Sequence, residues 1–102
     1  VLVKEIRAIE EALRRVSVDG AVTYGISLIS DAASQGAVES LIIDASMIRE
    51  GDDTSKGRWE KICKEIKSSR GEVIQASVDH DAGQQLLGLG GAIALLRWKL
   101  DH

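Results

Sequence analysis

A chain of 102 residues with 13 Lys plus Arg against 16 Asp plus Glu carries a formal charge of −3. The length fits a single domain spanning 1–102, and 44% hydrophobic residues can supply a core, which argues against disorder. The acidic balance, with a pI near 5.3, and the lack of three consecutive Lys/Arg make direct nucleic-acid binding unfavourable. One cysteine rules out an internal disulfide or a cysteine-rich zinc site and suggests a cytoplasmic protein; no apolar run is long enough to span a bilayer. The chain opens on Val1-Leu2-Val3 and already reads as helix, so a fragment of a longer protein is expected.

Leu2, Ile6, Ile9, Leu13 and Val16 recur at steps of four and three, the stripe of an amphipathic helix. Its other face carries Lys4, Arg7, Glu11, Arg14 and Arg15, and Asp19-Gly20 supplies the turn that ends it. Ala21 to Tyr24 is β-prone. A second helix follows Gly25, with Ile26, Ile29 and Ala33 facing inward, and stops at Gly36. Val38 to Asp44 reads as a strand whose centre, Leu41-Ile42-Ile43, is apolar without alternation, as expected when both faces are covered.

Gly51 to Gly57 reads as a polar loop, followed by a helix over Lys56 to Ser69 that buries Trp59, Ile62, Cys63 and Ile66. Val73 to Ser77 is the next strand. Asp79 or Asp81 is expected to cap a short helix, Asp81 and Gln84 having the spacing of a capping box, and Gly88, Gly90 and Gly91 end it. Ala92 to Leu100 is then an apolar strand. Helices alternating with buried strands imply an α/β chain built as a three-layer α/β/α sandwich around a mixed sheet.

Chemistry-bearing residues are few. Asp79-His80-Asp81 looks like an acid/base or metal cluster, but neighbours at a helix start diverge and zinc needs three or four converging ligands. Cys63 lies on an apolar helix face, where a thiol behaves as a small hydrophobe, and Trp59 shares that face. With three aromatic residues the chain is poorly equipped to stack bases. Gly88-Leu89-Gly90-Gly91 follows a helix and opens a strand, the reverse of a phosphate-binding loop, and suits a turn or a partner contact. No metal or other cofactor is expected.

Two stretches taken together are more specific: Gly36-Ala37-Val38-Glu39-Ser40-Leu41-Ile42-Ile43, and His80 to Gly91 followed by Ala94-Leu95-Leu96-Arg97. With Tyr24-Gly25 and Arg58-Trp59-Glu60 they make nearly the whole chain resemble the carboxy-terminal third domain of Pelota, related to the third domain of class-1 peptide chain release factors, of archaeal type. Release-factor relatives commonly insert a small subdomain near the position of Glu50 to Lys56, so the short loop favours Pelota over a release factor. The chain departs from the pattern at Ala92-Ile93, where the family has isoleucine directly after the paired glycines, and at Trp98, where it has phenylalanine or tyrosine.

The resemblance implies a fold like that of ribosomal proteins that bind kink-turn RNA, and a non-catalytic adaptor role in ribosome rescue, mRNA surveillance (no-go decay) and recycling. It implies docking of an elongation-factor-1-alpha-like translational GTPase, with the ribosome and a recycling ATPase as partners of the full-length protein. By the same resemblance Arg7, Glu11, Arg14 and Arg15 become rim residues of the docking surface, with Leu89 and Gly90 adding contact. The alternatives are translation termination as a release-factor domain, kink-turn RNA binding, and small-molecule hydrolysis at Asp79, His80 and Asp81.

Overall fold

The structure, a computed structural model, describes residues 2–50, 52–77 and 79–99. In chain order the elements are α1 (Leu2–Ser17), β1 (Val22–Tyr24), α2 (Ile26–Ser34), β2 (Val38–Asp44), α3 (Ala45–Arg49), α4 (Asp53–Ser68), β3 (Glu72–Ala76), α5 (Asp81–Gly88) and β4 (Ala92–Leu96). The strands form one mixed sheet in the order β1-β4-β2-β3, with β4 antiparallel to both β1 and β2, and β3 parallel to β2. Parallel neighbours need a crossover, which α3 and α4 supply.

Both central strands are covered on both faces, as the unbroken apolar run predicts. Along β2, Leu41 and Ile43 face Ile29, Ala32 and Ala33 of α2 and Trp59, Ile62 and Ile66 of α4, while Ile42 faces Ile9 and Ala12 of α1 and Leu86 of α5. β4 alternates likewise, Ala92, Ala94 and Leu96 joining the first layer and Ile93 and Leu95 the second. The three layers are therefore α1/α5, sheet, and α2/α4. The Ala92-Ile93 departure puts the small residue against α2/α4 and the large one against α1/α5. A bulge lets Val38 and Ser40 face the consecutive residues Leu96 and Leu95, and Glu39 between them stays exposed.

Several expectations change in detail. The α1 stripe is rotated toward Ala8 and Ala12, with Ile9 and Ala12 fully buried and Leu13 and Val16 half-buried; the Leu2 side chain lies outside the described residues. α3 was not expected, because five residues are too few to display a period; Asp44 caps it by accepting from the Ser46 amide at 3.0 Å. The helix expected from Lys56 begins at Asp53, since Asp52 in the polar stretch accepts from the Ser55 amide at 2.8 Å. That amide holds the Asp52 carboxyl below its usual range. Neither Asp79 nor Asp81 caps α5; His80 does, its Nδ1 accepting from the Gly83 amide at 3.0 Å, while Asp79 is engaged with the Ser77 hydroxyl. The last strand stops at Leu96 rather than Leu100, because Leu96 and Arg97 donate to Ala21 and Ala37, which precede the neighbouring strands. Arg97, Trp98 and Lys99 are exposed, and Leu100 lies outside the described residues.

The α5–β4 turn depends on Gly91. Its φ is +87°, and a Cβ there would collide with Met47 Sδ, while its carbonyl accepts from the Asp44 amide at 2.7 Å. Gly90 also has positive φ but faces open space. Gly91→Ala is expected to lower stability by about 2 kcal/mol or more and Gly90→Ala by about 1 kcal/mol, from the left-handed backbone cost alone in the second case. Urea denaturation midpoints check both, and Met47→Ala should recover part of the Gly91→Ala loss only.

Candidate docking surface

The charged face of α1 is organised around one carboxylate. Glu11 accepts from Arg14 at 3.0 Å (Nε) and 2.8 Å (Nη2) and from Arg15 Nε at 2.7 Å. These contacts are one helical turn apart, the spacing at which side chains on a helix surface meet. Arg14, then Arg15, hold the Glu11 carboxyl at about 2, well below its ordinary 4.5.

The two arginines differ in what else they touch. Arg14 projects into solvent, whereas Arg15 turns inward, its Nη1 donating to the carbonyls of Ala21 at 3.2 Å and Leu96 at 3.3 Å. Arg15 thus clamps the end of α1 to the start of β1 and the end of β4, and its guanidinium is less available to a partner than the sequence reading supposed. Its acceptors lie 6 and 81 residues away, so no local signal announces the clamp. Arg7 is exposed and has no ion-pair partner among the described residues.

Leu89 and Gly90 do not join this cluster. Leu89 packs half-buried against the α1/α5 layer and Gly90 is exposed. Gly91 precedes β4 and Arg15 bonds the carbonyl of its last residue, so the two groups sit at opposite ends of that strand, roughly 15 Å apart at 3.3 Å per residue. Beside the arginines the structure exposes two large apolar side chains the sequence reading did not select, Val18 at 61% and Trp98 at 49%. The Lys99–Asp19 ion pair at 3.1 Å ties the segment after β4 to the turn after α1, bringing these residues to one end of the sheet.

The other candidate chemistry disperses. His80 Nδ1 is consumed by the cap, its Nε2 lies 3.9 Å from Glu5 Oε2, and Asp79 and Asp81 are exposed, Asp79 bonded to Ser77. Among the described residues no three His, Cys, Asp or Glu side chains are grouped to hold a metal ion, and no helix is long and apolar enough to cross a membrane. Trp59 is buried in the core. Cys63 is half-buried, and burial pushes its thiol up despite the opposing charge of Lys67, the reverse of an activated nucleophile.

Two outcomes test the α1 cluster. Arg15→Ala should lower stability by about 1 kcal/mol through loss of its hydrogen bonds to the Ala21 and Leu96 carbonyls, and Arg14→Ala by clearly less because its side chain is solvent-screened, read from denaturation midpoints. Since folding lowers the Glu11 pKa, its contribution is present above about 4.5 and is lost as pH falls toward 2. Melting temperatures of the wild type and Glu11→Gln should therefore differ near neutral pH and converge as pH approaches 2.

The profile of the family described as eRF1 domain 3 matches residues 2–100. A Pelota homolog from Methanothrix thermoacetophila is 32% identical over 97 residues, covering 95% of this chain and 26% of that protein. The chain thus spans about a quarter of the length of this curated relative. Among solved structures, ribosome-bound archaeal Pelota with ABCE1 is similar at a TM-score of 0.81 and 31% identity, over 98% of this chain and 28% of that one. Dom34 of S. cerevisiae, a translation termination-like factor involved in RNA quality control pathways and interacting with Hbs1, shares the fold at a TM-score of 0.88 and 24% identity, over 95% of this chain and 28% of that one. A profile match across nearly every residue, on a three-layer sandwich shared with these structures, means that the chain belongs to the eRF1 domain 3 family, in which Pelota homologues are its relatives.

Proposed function

We propose that this chain is the factor-docking domain of a Pelota-like ribosome-rescue protein acting in the cytoplasm. It binds an elongation-factor-1-alpha-like translational GTPase without catalysing a reaction itself. The observation that carries the reading is the family match over residues 2–100 together with Pelota relatives across 95% of the chain. In the longer protein the ribosome and a recycling ATPase are further partners, a reading supported by the ribosome-bound Pelota–ABCE1 complex; the interaction of Dom34 with Hbs1 supports a factor-binding role. The three-residue connection from Arg49 to Asp53 has no room for an inserted subdomain, which favours Pelota over a release factor.

The docking surface we assign runs along α1. Arg7, Glu11 and Arg14 form its charged rim, with Arg15 holding the helix end in place, and Leu89 and Gly90 extend it at the far end. Val18 and Trp98, exposed beside the rim, supply the apolar anchor that a stable interface needs. The separation of the two ends suits an interface of ordinary size, about 800 Å² per partner.

The test is binding of the 102-residue chain to a purified archaeal elongation-factor-1-alpha-type GTPase, read by biolayer interferometry. Charge reversal in the Arg7→Glu/Arg14→Glu double variant is expected to weaken binding about tenfold, mostly in association rate and less so at high salt, and Trp98→Ala by a similar factor through faster dissociation. Failure of the folded wild-type chain to bind at high protein concentration overturns the assignment.

A further inference from the structure

On the opposite layer of the molecule, α4 gathers positive charge that the composition conceals. From Lys56 to Arg70 the chain places six cationic side chains, Lys56, Arg58, Lys61, Lys64, Lys67 and Arg70, against only Glu60 and Glu65, in a protein of net charge −3. None of the six forms an ion pair with a described residue. Their spacing of two or three residues leaves no contiguous block in the sequence, yet Lys56, Lys64 and Lys67 fall, with Glu60, on one flank of the helix.

That flank borders a groove of about 300 Å³ between α4 and β3. Its floor is apolar, made by Ile48, Cys63 and Val73, each packed against the core but half-buried. Its rim carries Lys64 and Lys67 against one carboxylate, Glu60, with Gln75 on the β3 side, so the charged groups lining it sum to one net positive charge. Among the described residues β3 is an edge strand, paired only with β2, so its outer backbone groups have no strand partner there.

We propose that this groove is a docking site for an extended acidic peptide segment of a partner protein, which adds alongside β3 as a fifth strand. Alternate side chains of an added strand point to one face, so an apolar residue enters the space over Ile48, Cys63 and Val73 while carboxylates two residues to either side, on that same face, meet Lys64 and Lys67. Three features select this occupant. The unpaired lysines ask for negative charge, the floor asks for an apolar side chain, and the open edge asks for backbone donors and acceptors. A phosphate backbone would satisfy only the first. The site is independent of the α1 surface, because it uses the other layer and none of the same residues.

The probe is a fluorescein-labelled synthetic peptide of about twelve residues, with Leu and Asp/Glu taking turns at every second position and Ser or Thr between them so that one strand face carries both, titrated against the full chain by fluorescence anisotropy. Cys63, the single cysteine, serves as a reporter on the groove floor through its rate of alkylation by a maleimide. Expected results are binding that weakens about tenfold in a folded Lys64→Glu/Lys67→Glu variant, little change in Arg58→Glu, and slower Cys63 alkylation in the wild type when peptide is bound. The same peptide with Ser in place of Leu should bind about tenfold more weakly. Absence of peptide binding overturns the proposal. So does equal weakening by Arg58→Glu, which would signal net charge alone. Equal affinity for the Ser-substituted peptide, or preferential binding of a single-stranded RNA of about twenty nucleotides without protection of Cys63, overturns it too.

Discussion

The molecule depends on the antiparallel pairing of β2 with β4, two strands whose side chains are buried on both faces. A strand covered on both sides has no solvent face to absorb a register error: a slip of one residue would exchange every side chain between two different packing environments. Here the layers differ in the volumes they demand. Against α2 and α4 the β4 strand presents Ala92, Ala94 and Leu96, while toward α1 and α5 it presents Ile93 and Leu95. The larger aromatic Trp59 and the isoleucines of α4 occupy the side where β4 is small. The sheet is therefore keyed to its helices, and the surfaces on either outside are held at fixed positions relative to one another.

On that frame the two outer layers are electrically unlike. α1 neutralises much of its own charge, since Glu11 satisfies two arginines and one of them is spent on backbone carbonyls. α4 leaves its cations without carboxylate partners among the described residues. Exposed ion pairs contribute little to stability because solvent screens them, so leaving lysines unpaired carries a small folding penalty while preserving a positive field for an encounter. Under the two docking roles proposed above, the unlike faces would let two factors bind without competing, and the rigidity of the β2·β4 pair would set the distance between them.

Much of the fold was legible in the sequence because its signals were periodic or strongly apolar. The 3.6-residue stripe of α1 marks the helix and its buried Ile9, though the inner face is turned toward Ala12, while the Leu41-Ile42-Ile43 run of β2 and the Trp59-Ile62-Ile66 face of α4 report burial directly. What escaped was local hydrogen-bond chemistry and long-range partnership. The start of α4 was hidden in a polar stretch because a capping aspartate and a loop aspartate look alike until the Ser55 amide is placed. His80 took the cap expected of its neighbours because Asp79 was already engaged by Ser77. Within the candidate site the charged face of α1 could be read from spacing, but the inward turn of Arg15 could not, since its acceptors belong to other strands. The groove beside β3 was invisible for the same reason: Ile48, Cys63 and Val73 come from three elements and meet only in space.

One topological detail has a consequence for synthesis. Among the described residues β4 is the last strand in chain order, yet it occupies an interior slot between β1 and β2. A nascent chain emerging amino end first leaves β1 separated from β2, with Ile42 and Leu41 uncovered along one edge, until the segment around Ala92–Leu96 has cleared the ribosomal tunnel. Folding of this unit is therefore deferred until β4 itself has been made, and a copy lacking it would expose an apolar slot of the kind that quality-control proteases and chaperones engage.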